Sequence, residues 1–358
     1  MKCKVEGRVL SFLVFRTIAA WLASVLPLLS WGVGPAGLPE ITDPPGTSRV
    51  DLGKRVFFDP TLSVDGKVSC ASCHRPEFAF TDGLPVARGV GGKRGTRNTP
   101  SLWNARFSQS FFWDGRRPTL ESQVIDPLFS EVEHGLGNAD ELLEIVRGRP
   151  EYVEGFERTF GKSAISIDEF RAALVAYVRS LISGDSSFDR YYYGHDESAL
   201  SAPALRGLEL FRGRAGCTEC HLIGEQHALF TDHRFHSLGV GLQEIERKLP
   251  MLGKSAKVLD RVVLGQVVAT DAEMAALGRF LVSGSPADIG RFKTPSLRNV
   301  ALTAPYMHDG SIPTLEEAVE RELYYGSLSK GRPLVLTAEE KTDLMEFLRS
   351  LTSGPIHF

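Results

Sequence analysis

The stretch "CASCH" at Cys70–His74 decides how this chain is read, because its pattern returns as "CTECH" at Cys217–His221. Both are C-x-x-C-H, the spacing that attaches a c-type haem. Two thiols on one helical turn can each add to a vinyl group, and the next residue then points its imidazole at the iron. Cys70 and Cys73 form the first pair, Cys217 and Cys220 the second. The fifth cysteine, Cys3, lies apart near the N-terminus. Paired cysteines in an exported chain would ordinarily suggest disulfides. Two pairs, each followed at once by histidine, point instead to two covalently bound haem c groups with His74 and His221 as proximal ligands.

A longer sentence is also said twice. "TPSLWNARFSQSFFWDGRRPTLESQV" (Thr99–Val124) and "TPSLRNVALTAPYMHDGSIPTLEEAV" (Thr294–Val319) align without gaps. They share Thr-Pro-Ser-Leu, Asn104 with Asn299, Asp114-Gly115 with Asp309-Gly310, and Pro118–Glu121 with Pro313–Glu316. Each copy follows one CxxCH, with a longer insert in the second, so the chain reads as two diverged haem domains in tandem. Apolar spacing predicts helices in "IDEFRAALVAYVRSLI", "APALRGLELFRG", "DAEMAALGRFLVSG" and "TAEEKTDLMEFLRSLT", the last with Thr337 as N-cap and Glu340 three residues on. "SGDSSFDRYYYGHDES" is rich in turn formers and reads as the crossover between domains. The expected fold class is mostly α: two tandem cytochrome c-type haem domains, residues 40–190 and 191–358, with few short strands.

A chain of 358 residues, 42% hydrophobic and 24% charged, has room for two soluble domains. A net charge of -3 and a pI near 6.3 lack the basic footprint of a nucleic-acid binder. The most basic stretch, "GVGGKRGTRN", reads as a solvated loop. In residues 1–36, Lys2, Lys4 and Arg8 precede an apolar run, the pattern of an export signal or of an uncleaved N-terminal anchor. Either places the folded part outside the cytoplasm, in the periplasm.

In linear order, "SCASCH", "RNTPSLWN", "FFWDGR", "LESQ", "DPL", "EVE", "GLELF", "CTECH" and "FKTPSLRNVALTAPYMHDG" resemble the bacterial diheme cytochrome c peroxidases and their MauG-type relatives. The resemblance covers nearly everything after the N-terminal segment. It implies a peroxidatic N-terminal domain, an electron-transfer C-terminal domain, an inter-haem tryptophan at Trp113, and a distal pocket holding Gln123, Pro127 and Glu133. Glu133 would be the acid/base for O–O cleavage and Gln123 would position peroxide or water. By itself Glu133 is one acid among 44 Asp and Glu, and Trp113 alone would read as a core aromatic. The sixth ligand of the second haem falls to Tyr324, with Glu322 as the alternative. Between His74 and His134 the sequence has no histidine to cap the first iron, which implies an open or water-bound sixth position. A calcium ion is implied at Asn98, Thr303 and Pro305.

The implied activity is reduction of hydrogen peroxide to water with electrons from a small cytochrome c or cupredoxin. The alternative is a MauG-type oxidase that withdraws electrons from Trp or Tyr residues of a partner protein. The resemblance leaves a homodimer open.

Overall fold

In the computed structural model, Met1 and residues 35–354, apart from 163, 329, 330, 332 and 333, are described. Most of the segment read as an export signal or anchor lies outside the described residues. In chain order the helices are α1 (Thr47–Phe58), α2 (Cys70–Cys73), α3 (Leu120–Gln123), α4 (Ala139–Arg147), α5 (Pro150–Phe160), α6 (Ile167–Ser180), α7 (Ser187–Tyr192), α8 (Ala202–Arg212), α9 (Leu242–Ile245), α10 (Leu249–Lys257), α11 (Leu264–Thr270), α12 (Ala272–Ala276), α13 (Phe280–Ser283), α14 (Leu315–Leu328) and α15 (Ala338–Arg349). Among the described residues two short strands, β1 (Phe235–His236) and β2 (Phe292–Lys293), pair antiparallel with Phe235 opposite Lys293. The protein is therefore mostly helical. No helix among the described residues is long and apolar enough to cross a membrane.

Capping follows the sequence closely. Ser166 with Glu169 closes the first turn of α6, and Thr337 with Glu340 closes α15. Two sequence expectations need correction. The crossover stretch is not all turn: Ser186 and Asp189 form a capping box and start α7. "DAEMAALGRFLVSG" is not one helix but α12 and α13, broken at Gly278, whose φ is +59°. A Cβ there would lie 2.4 Å from the Arg291 carbonyl oxygen, so strand-side backbone occupies the room a continuing helix would need.

Three apolar cores organise the helices. One runs from Leu52 to Leu181, one from Phe188 to Leu351, and the third, Ile245 to Leu281, is built by the insert of the second copy. In the first, α1 crosses α6 at Gly53; in the second, α8 crosses α15 at Gly207. A Cβ on Gly53 would sit 1.9 Å from the Ala173 carbonyl oxygen, and one on Gly207 2.0 Å from that of Asp343. Backbone cannot yield as a side chain does. Gly207→Ala is therefore expected to destabilise the protein by about 1–3 kcal/mol despite alanine's better helix propensity; thermal unfolding measures it, and an unchanged midpoint would show that the helices can separate freely.

The repeated asparagines join the copies. Asn104 (φ 61°) and Asn299 (φ 60°) are both left-handed. The backbone N–H of Asn104 donates to Leu181 O at 2.9 Å and that of Asn299 to Leu351 O at 3.2 Å. Asn104 Oδ1 accepts from Ser183 N–H at 3.1 Å, and Asn299 Oδ1 from Ser353 N–H at 2.9 Å. Ser183 and Ser353 then meet, hydroxyl to hydroxyl, at 2.8 Å.

Candidate functional site

Each CxxCH is finished by a loop that turns a backbone carbonyl toward its histidine. His74 Nδ1 lies 3.0 Å from Phe80 O, and His221 Nδ1 lies 2.8 Å from Phe230 O. A carbonyl can only accept, so Nδ1 carries the proton and Nε2 presents its lone pair, the tautomer an iron ligand requires. Burial lowers the pKa of both imidazoles and keeps them neutral. Phe80 (φ 60°) and Phe230 (φ 52°) are both left-handed, a conformation that non-glycine residues hold only when the surroundings fix it.

The duplicated Thr-Pro-Ser-Leu supplies that fixation. Thr99 Oγ1 donates to Asp82 Oδ2 at 2.9 Å and Ser101 Oγ to Ala79 O at 2.7 Å; in the second copy Thr294 Oγ1 donates to Arg234 O at 3.4 Å, and Ser296 Oγ donates to Leu229 O at 2.7 Å. Sequence reading missed these receiving loops, although Phe-Thr-Asp recurs at Phe80–Asp82 and Phe230–Asp232. Unequal spacing from the two motifs hid the match.

The motif cysteines Cys70, Cys73, Cys217 and Cys220 are all half-buried thiols, and none of the four is in a disulfide. Cys70 and Cys73 bracket α2, while Cys217 and Cys220 bracket a single 3₁₀ turn, so each pair sits on one turn of chain as the motif requires. Burial pushes the Cys70 and Cys73 thiols up to about 12, so neither is a reactive thiolate. The donor set, paired thiols beside a buried neutral imidazole, fits haem c at both motifs.

Beside the first motif lies a partly open cleft. It brings together Cys70, Cys73, His74, Gln123, Pro127 and Glu133, residues that span much of the N-terminal half. Gln123 arrives at the end of α3 and Pro127 in the turn that follows. Glu133 is held by its backbone: its carbonyl accepts from Val90 N–H at 3.0 Å. Gly89 lets that strand of chain approach, since a Cβ there would lie 1.9 Å from Val132 O. Burial raises the Glu133 carboxyl above its ordinary value, opposed by the Arg116 charge and assisted by Asp126. His134 also borders the cleft but is committed elsewhere, with Nδ1 2.8 Å from Leu62 O and Nε2 3.9 Å from Cys70 Sγ.

Residues 47–197 match the family described as di-haem cytochrome c peroxidase. The methylamine utilization protein MauG of Methylorubrum extorquens is 36% identical over 313 residues, covering 86% of this chain and 79% of the relative. This chain belongs to the di-haem cytochrome c peroxidase family. A cytochrome-c peroxidase IdrP1 from Denitromonas iodatirespirans is 34% identical over 362 residues, covering 94% and 92% of the two chains. Among solved structures, a MauG-like protein associated with microbial copper homeostasis superposes with TM-score 0.68 at 32% identity over 90% of this chain and 93% of that one. The protein is accordingly a peroxidase-type oxidoreductase with haem cofactors.

In this di-haem peroxidase Trp113 does not line the cleft; it lies where the copies meet. Its indole N–H donates to Asn98 O at 2.8 Å, and Asn98 N–H donates to His308 O at 2.9 Å. Trp113 and its counterpart in the other copy, His308, are thus linked through a single residue. His308 is buried and stacks on Phe292 with 3.5 Å between centroids. The basic loop is only partly solvated: Arg97, its last arginine, is enclosed beside this stack, and burial brings it down to about 10. Buried Nε atoms of Arg97 and Arg116 have no partner among the described residues. Other nitrogens of both are engaged: Arg116 Nη1 pairs with Asp114 at 3.0 Å and Arg97 Nη2 donates to Ala275 O.

The two sixth-ligand candidates of the second haem both lie on α14. Tyr324 is 58% exposed and packs edge-on against Tyr325, so it projects outward from α14. Glu322, two residues earlier on the same helix, is exposed as well, so neither side chain is singled out as the ligand. Asn98, Thr303 and Pro305 are not brought into one ligand cluster by any side-chain bond: Asn98 Nδ2 donates to Leu84 O at 2.9 Å, and Thr303 Oγ1 to Val300 O at 3.1 Å.

Proposed function

We propose that the enzyme reduces hydrogen peroxide to water in the cleft beside His74. The haem held at Cys70, Cys73 and His74 would supply the iron that binds peroxide and accepts electrons. Glu133 would take the proton from one peroxide oxygen and return it to the other, which leaves as water. Gln123 orients the peroxide, and Pro127 shapes the wall opposite. Two protons from solvent and two electrons from the donor complete the conversion of one peroxide to two waters. The electrons come from a small cytochrome c or cupredoxin, enter at the second haem site of Cys217, Cys220 and His221, and pass Trp113, whose link to His308 spans the two copies. Tyr324 is the proposed sixth ligand of the second haem, with Glu322 as the alternative. Neutral oxygens of Asn98, Thr303 and Pro305 would suit a calcium ion, and the periplasm is the proposed location.

The convergence of Glu133, Gln123 and His74 in one cleft carries this reading. A second reading, oxidation of Trp or Tyr on a partner protein, is favoured by one observation: the cleft's single additional histidine, His134, has both ring nitrogens turned to Leu62 and Cys70. With no histidine capping the first iron, peroxide can react without prior reduction. Electron paramagnetic resonance of the ferric protein before and after one equivalent of H2O2 tests both. A high-spin signal consumed at once supports an uncapped site; two low-spin signals that ignore peroxide until reduction would show that another residue caps it.

A further inference from the structure

The tyrosine run Tyr191–Tyr193 plays no part in the cleft beside His74, yet it ends an aromatic ladder that begins at His221. His221 Nδ1 donates to the Phe230 carbonyl at 2.8 Å. The Phe230 ring stands 5.1 Å from Phe188, and Phe188 stacks on Tyr192 at 5.2 Å with an interplanar angle of 21°. Tyr192 and Tyr193 are 5.0 Å apart, and Tyr193 is also 6.0 Å from Phe188. Phe230 and Phe188 are buried, whereas the tyrosines are half-buried. Beyond them opens a surface cleft of about 780 Å³ between α7 and α8, lined by Tyr191, Tyr192, His195, Leu205, Glu209 and Arg212.

From these positions we infer that Tyr192, with Tyr193 behind it, is a one-electron relay between the second haem site and this cleft. Phenylalanine is too hard to oxidise to carry charge as an intermediate; tyrosine is oxidisable when its phenol can release a proton. Tyr193 donates its hydroxyl to the Gly224 carbonyl at 2.9 Å, and that carbonyl is no base. Tyr192 opens on the cleft, where water takes the proton, and the Arg212 guanidinium lies 5.7 Å from its ring. The step balances: an oxidising equivalent left by H2O2 reduction removes one electron from Tyr192, its phenolic proton goes to cleft water, and a neutral tyrosyl radical remains. One electron from a donor at the cleft, with one proton, restores the phenol. The inference rests on the proposed peroxide reaction and adds to it the place where electrons enter.

The test uses the full-length haem-loaded protein, frozen within seconds of adding H2O2 without donor, and compares Tyr192→Phe, Tyr193→Phe and the double variant. Phenylalanine keeps the ring and its packing, and thermal unfolding checks the fold. The optical change on adding peroxide reports the cleft beside His74 separately. The expected result is an unchanged optical reaction, a tyrosyl resonance reduced at least tenfold in Tyr192→Phe and in the double variant, and oxidised tyrosine mapped by mass spectrometry to the Tyr191–Tyr193 peptide in the unsubstituted protein. An unchanged radical in the double variant, or oxidation mapped elsewhere, overturns the relay while the peroxide reaction stands. No optical reaction in the unsubstituted protein overturns the peroxide reading and the relay with it.

Discussion

Glu133→Gln should slow the reaction with H2O2 by about 10²–10⁴-fold, the usual worth of a positioned acid/base. Glutamine keeps the shape of the side chain, so the cleft and the haem spectrum should stay as they were. The pH profile separates a chemical role from a structural one. Burial lifts the Glu133 carboxyl above 4.5, with the Arg116 charge opposing and Asp126 adding to the rise. Only the carboxylate can accept the first proton, so the rate should fall as pH drops through that raised value. The glutamine variant has nothing to titrate there and should lose this limb. Stopped-flow mixing with peroxide across the acid range measures both, and a variant with unchanged rate and profile would remove Glu133 from the chemistry.

The largest effect on stability is expected at Arg298. Its guanidinium is 1% exposed and pairs with Asp189, whose side chain is 0% exposed, at 2.8 Å. It also donates to Ala228 O at 2.8 Å, and to Gly37 O. One side chain therefore ties together the entry of the chain, the start of α7 and the loop that presents Phe230 to His221. Arg298→Met strands the Asp189 charge without a partner, a loss of about 3–5 kcal/mol. Chemical denaturation of the haem-loaded protein checks it. Asp189→Asn combined with Arg298→Met should recover part of the loss, because the stranded charge is gone. A loss below about 1 kcal/mol would mean that water reaches the pair on unpairing.

The sequence was most informative where chemistry demands fixed spacing. CxxCH, the duplicated Thr-Pro-Ser-Leu and the Thr337 cap could be read because each works within a few residues. Arg298 could not: in the alignment it faces Trp103, and only the folded chain shows that it answers a buried aspartate more than a hundred positions away. The sixth ligand of the second haem was not legible either: tyrosine is the better-known ligand type, but both Tyr324 and Glu322 stand exposed on α14. The third core was legible only as an insert, since its short helices break wherever the backbone of another segment comes close, as at Gly278.

The meeting of Ser183 with Ser353 is a contact between a position and its own counterpart. That is the signature of an isologous interface, in which a surface faces a copy of itself across a two-fold axis. Here the two copies of the repeat meet in that manner within one polypeptide, where each copy can differ from the other. A separate dimer would carry the same residue twice, whereas here Trp113 stands on one side and His308 on the other.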